Sequence, residues 1–160
     1  MKRIIYSATF LIITFLALAA TNSETCDSKT LKKQGIAELN PYFYSAAKVN
    51  TINYDYKITR KEIEVPLFKG EKYKMVFNKK ALPKDVVIEV YDKDQTTSNR
   101  KALFSSKDSS GDIVTFEPKK SKKMYVNYVI PEAGEITESG CLVFILGYQL
   151  TFLEDYNSNN

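Results

Sequence analysis

Period-two alternation beyond Pro41 constrains this chain most. "KEIEVPLF" alternates Ile63, Val65 and Leu67, and "KYKMVFN" sets Tyr73, Met75 and Phe77 on one face. "VVIEVYD" does the same with Val86, Ile88 and Val90, and "KMYVNYVIP" with Met124, Val126, Tyr128 and Ile130. "INYDYKI" alternates Ile52, Tyr54, Tyr56 and Ile58. Side chains of a strand point to opposite faces in turn, so this pattern predicts strands with one buried face. "ALFSS" and "DIVTFEP" are shorter and flank a "KDSSGD" turn, while Gly70 in "KGEK" suits a turn that needs positive φ. "GCLVFILGYQLTF" is apolar almost throughout and reads as a central strand covered on both faces. Pro66 cannot donate a ladder hydrogen bond, which places its strand at an edge. About eight short strands with turn signals between them predict a mainly β fold, an antiparallel β-sandwich or barrel. They span about residues 51–153 of one domain covering 21–160, and the polar tail 154–160 is expected to fray.

One helix precedes the strands. In "CDSKTLKKQGIAELNP", Asp27 or Ser28 can cap the first free N–H groups, and Leu31, Gly35 or Ile36, and Leu39 form a thin apolar stripe. Pro41 stops the helix, giving about residues 28–39. Gly35 weakens it by up to about 1 kcal/mol relative to Ala, so it is expected to form only when docked.

The first residues read as a targeting segment. Lys2 and Arg3 precede the apolar run "IIYSATFLIITFLALAA", which ends in the A-x-A pattern Ala17-Leu18-Ala19. This is the layout of a secretory signal peptide, covering 1–20 and cleaved after Ala19 or Ala20. A membrane span is the rival reading of that run, and small residues at its end favour cleavage. The mature chain, about 140 residues, carries no later stretch apolar enough to span a bilayer. Losing Lys2 and Arg3 lowers Lys+Arg from 23 to 21 against 19 acids. A net charge of about +2 is too small to argue for an anionic membrane as a partner, and no nucleic-acid partner is expected. "KKSKK" at 119–123 reads as a solvated turn, with an anionic ligand as the sharper alternative.

Cys26 has three possible roles: lipid anchor, redox thiol, or half of a disulfide. Ser23, Glu24 and Thr25 before it make a poor lipobox, and no C-x-x-C motif is present. In an exported chain with two cysteines, Cys26 and Cys141 are expected to pair and to tie the helix to the last long strand.

The chain has no histidine. Ser-His-Asp triads, Cys-His dyads and H-E-x-x-H zinc sites are therefore excluded, and two cysteines exclude a four-thiolate zinc site. "SAAK" at 45–48 matches S-x-x-K, with Ser45 as nucleophile and Lys48 as base, but the partner motifs S-D-N and K-T-G are absent. Asp92, Asp94, Thr96 and Ser98 alternate in "DKDQTTS", an oxygen-rich loop that suits Ca²⁺ or a plain turn. It is no EF-hand, since Thr97 stands where Gly is needed and Leu103 where Glu is needed. Calcium is thus the one cofactor the sequence leaves open. Tyr42, Tyr44, Tyr54 and Tyr56 surround "SAAKVNTIN" and offer apolar faces with polar tips, for sugar or peptide binding or for packing helix on sheet.

Three stretches carry a family resemblance. "VPLFKGEKYKMVF", "VVIEVYDKD" and "KKMYVNYVIP" resemble the strand-and-turn sequence of bacterial pre-peptidase C-terminal (PPC) domains. The usual Asp-x-Asp before the aromatic strand is missing. The chain as a whole resembles small exported proteins of Bacteroidota. The PPC resemblance implies a jelly-roll-like β-sandwich, an accessory module of secreted proteins. Together these readings predict an exported, non-catalytic module that binds a protein or polymer in the periplasm or outside the cell. Two alternatives stand beside it. One is a structural subunit of an envelope assembly. The other is a small hydrolase using carboxylates such as Glu62, Glu64, Asp85, Glu89 and Asp92.

Overall fold

A computed structural model describes residues 26–134 and 139–151. The expected signal peptide, 1–20, and the tail lie outside the described residues. After helix α1 (Ser28–Ala37) come eight strands: β1 (Phe43–Asn53), β2 (Thr59–Val65), β3 (Glu71–Ala81), β4 (Val87–Tyr91), β5 (Phe104–Ser105), β6 (Ile113–Phe116), β7 (Met124–Ile130) and β8 (Ser139–Leu150).

Two four-stranded antiparallel sheets stack face to face, ordered β1-β8-β3-β6 and β2-β7-β4-β5. The first strand pairs the last, the second the seventh, the third the sixth and the fourth the fifth. A long ribbon wound over itself in this way is a jelly roll. The fold the alternation predicts is the fold observed. Met75, Phe77, Ile88, Val90, Val126, Tyr128, Leu142 and Phe144 fill the space between the sheets. The first six are the inward positions of the period-two segments, and Leu142 and Phe144 come from the continuous apolar run. β8 lies between β1 and β3, and β2 lies at an edge with Pro66 just past its end, as their sequences imply.

β8 is covered on both faces because α1 packs on the outside of its sheet. Leu31 and Leu39 meet Val76, Val143 and Ile145 in a second cluster. Asp27 caps the helix, its carboxylate accepting from Thr30 N at 3.0 Å. That contact holds the Asp27 carboxyl below its ordinary range. The Asn78 amide of β3 donates to Leu31 O at 3.0 Å and to Gln34 Oε1 at 3.2 Å, fixing the helix on the sheet. Cys26 and Cys141 are bonded, with Cα atoms 5.7 Å apart, so the bridge joins the start of α1 to the start of β8.

The first strand starts well before the alternation predicts. β1 begins at Phe43, and "INYDYKI" is not one strand. Only Ile52 of that segment lies within β1 and the inter-sheet core. Beyond Asn53 the chain crosses to the other sheet, with Asp55 bridging to Glu132 and its carboxylate accepting from Tyr56 N at 2.7 Å. Tyr56 and Ile58 are left exposed by that crossing.

Candidate binding edge

A sandwich has edge strands, and each presents a row of N–H and C=O groups to any extended chain. Here the edges are β1 and β6 of one sheet, β2 and β5 of the other. Three are guarded. β5 has 2 residues and β6 has 4. β2 carries Arg60, Lys61, Glu62 and Glu64 and is followed by Pro66. β1 is different, with 11 residues and Lys48 as its single charged side chain. A bulge at Ser45, where the register with β8 slips between Tyr44 and Ala46, is its other irregularity.

Two halves of β1 have different surroundings. Asn50 and Ile52 are buried, and the Asn50 amide donates to the Tyr128 hydroxyl of the opposite sheet at 3.3 Å. Lys61 of β2 donates to Thr51 O at 3.3 Å, joining the two edges there. From Phe43 to Val49 every residue except half-buried Ala47 is exposed. Phe43 is 58% exposed, Tyr44 42% and Val49 48%. Phe43 lies against Tyr148 of β8 on the core side, ring centroids 6.0 Å apart. Tyr44 sits on the helix side, with Lys32 Nζ 4.8 Å above its ring. Aromatic groups thus border the open backbone on both faces.

The tyrosines singled out from sequence do not form one site. Tyr42 and Tyr44 lie at the start of β1, Tyr54 and Tyr56 past its end, about 33 Å away at the rise of an extended strand. Tyr54 is buried, and its hydroxyl donates to Lys84 O at 2.5 Å, so it is a core residue. Tyr42 is half-buried against the helix cluster and donates to Glu117 at 2.9 Å. Tyr44 and Tyr56 alone are exposed, at opposite ends. Ser45 is the bulge residue of the open edge, not a group in a cleft. Phe43 and Val49 complete the exposed stretch. Phe43 stands among the aromatics of "NPYFYSAAKVNTINYDY", whereas the signal for Val49 is the near absence of charge from Phe43 to Asn53, not its residue type.

Asp92 and Asp94 already have partners. Asp92 pairs with Lys122 at 2.7 Å, which lowers its carboxyl pKa. Asp94 accepts from Thr96 N at 2.9 Å and from the Thr96 hydroxyl at 2.5 Å, a turn cap that lowers its pKa likewise. Among the described residues, no three His, Cys, Asp or Glu side chains group as a metal site. The acids considered for hydrolysis are each held as well. Glu62 meets Arg100 at 2.5 Å, Glu64 meets Lys123 at 2.8 Å, and Asp85 meets Lys79 at 2.5 Å. Glu89 accepts from the Tyr91 hydroxyl at 2.8 Å and from the Asn127 amide at 3.3 Å.

Sequence reading did not find Arg100. It pins the β4–β5 loop onto the outer face of its sheet. Its guanidinium lies 3.8 Å from the centroid of the Tyr91 ring and donates to Glu62 and, at 3.0 Å, to Lys93 O. Burial, then Glu89, raises the Tyr91 phenol pKa.

No helix among the described residues is long and apolar enough to cross a membrane. No family model and no curated protein matches the chain. Among solved structures it is similar to PliG from Aeromonas hydrophila, a periplasmic inhibitor of g-type lysozyme. The identity is 11%, the TM-score 0.46, and the match covers 67% of this chain and 88% of that one.

Proposed function

We propose that the protein is an exported, non-catalytic jelly-roll module that binds a protein partner by adding one extended segment of it to the free edge of β1. The observation that carries this reading is the contrast among the edges: one long strand almost without charge, beside three that are short or charged. Main-chain hydrogen bonds supply affinity in strand addition, and flanking side chains supply choice of sequence. Phe43, Tyr44 and Val49 are the side chains that flank this edge. Export to an oxidising compartment, periplasm or exterior, is supported by the Cys26–Cys141 bridge.

A photo-cross-linking residue at position 49, in the exporting cell, is expected to yield a discrete adduct. The same residue at position 101, on the opposite flank, should not. Val49→Lys places a charge on an exposed position, leaves the core intact, and should abolish the adduct formed from a probe at position 47. Equal adducts from both flanks, or binding that survives Val49→Lys, would overturn the reading. The same edge could join copies of this chain in an envelope assembly. An adduct of twice the chain mass would mark that case.

A further inference from the structure

A pocket of about 380 Å³ opens near edge strands β5 and β6, on the flank away from β1. That volume lies in the range of small-molecule sites. Leu103, Phe116 and Met124 give it an apolar wall. Met124 is buried, Phe116 is half-buried and stacked on Phe104 at 5.1 Å, and Leu103 is exposed. Lys119, Lys120 and Lys122, from the β6–β7 connection, also line it. The charge does not cancel. Asp92 is occupied with Lys122, and Glu117 with Lys74 at 3.9 Å and the Tyr42 hydroxyl. Lys119 and Lys120 have no ion pair among the described residues.

We propose that this pocket binds a small anionic amphiphile, its apolar body against Leu103, Phe116 and Met124 and its acidic head between Lys119 and Lys120. Both parts are needed. A bare anion would meet only exposed ammonium groups, and such pairs are weak in water. An uncharged apolar molecule would leave two like charges at the mouth uncompensated. Burying a hydrocarbon body supplies the affinity, and the lysines select the head group. The site lies at the sheet edge opposite β1.

Decanoate below its micellar concentration, added to the full chain and followed by NMR, tests this. Saturable shifts are expected at Leu103, Phe116 and Met124. The double variant Lys119→Gln/Lys120→Gln, confined to exposed side chains, should weaken binding by about fivefold or more, and decanol should lose a similar factor against decanoate. Leu103→Glu, also at an exposed position, should remove binding. Vesicles of phosphatidylglycerol that shift the same residues support a lipid source. Vesicles without effect, beside a decanoate response, support a free amphiphile. No shift at these residues, butyrate as tight as decanoate, or decanol as tight as decanoate would each overturn the proposal.

Discussion

Tyr128 shows how one buried polar atom links stability to pH. Its ring is fully buried between the sheets, and its hydroxyl receives the Asn50 amide. Burial disfavours the phenolate and pushes the Tyr128 pKa well above its ordinary value. A raised folded-state pKa stabilises the protein below the unfolded value, near pH 10, and that contribution is lost as pH rises beyond it. Tyr73 and Tyr91 shift in the same direction, first by burial and then by Glu71 and Glu89. Urea unfolding between pH 7 and 11 should therefore show stability falling above about pH 10. Tyr128→Phe should flatten part of that fall. At neutral pH it should cost about 1 kcal/mol, because the Asn50 amide loses one of its two acceptors and keeps Lys48 O at 3.3 Å. Gly35 is a residue whose meaning is not legible from sequence. Read locally it is a weak point in a helix. In the fold, a Cβ there would lie 2.3 Å from Ile145 Cδ1, so its absence lets α1 sit directly on β8. Periodicity along one segment does not report what lies across from it.

Among the elements, α1 depends most on its surroundings. Ten residues are too few for a helix to persist alone in water. It is held by its apolar contacts, the Asn78 amide and the disulfide. The bridge spans a sequence separation of 115, for which chain entropy predicts about 4–5 kcal/mol. Cys26→Ser/Cys141→Ser should lower the urea midpoint accordingly, and amide exchange across Ser28–Ala37 should accelerate more than across β3. The β4–β5 loop rests in a similar way on Arg100. Arg100→Lys keeps the charge but loses the planar stacking on Tyr91 and the reach to two acceptors at once. A loss of about 2 kcal/mol and faster tryptic cleavage at Lys93 and Lys101 are expected. The strands were largely legible because burial of one face imposes a period of two, and Val86, Ile88 and Val90 lie where that period places them. β1 was not. An edge strand with both faces partly open carries no such period, so Phe43–Val49 reads as irregular chain until β8 is beside it.

At the scale of the whole molecule, the same lack of pattern that conceals β1 makes it useful. A buried strand is specified by its neighbours, whereas this one has backbone groups left over. The disulfide and the jelly-roll winding hold those groups in a fixed, extended shape, so a partner segment alone would bear the entropy of ordering. Three guarded edges and one open edge also set a valence. A sandwich open on two edges could propagate into a fibre. With one open edge, strand addition at β1 would take up a single strand and leave no second acceptor. If that strand came from another copy, the pairing would be two-fold and would close on itself. Light scattering of the purified complex should find one partner segment per chain, and never a ladder of higher species at rising concentration. If partners add to β1 as proposed, the uneven guarding of the edges would make this protein a terminator, not a link in a chain.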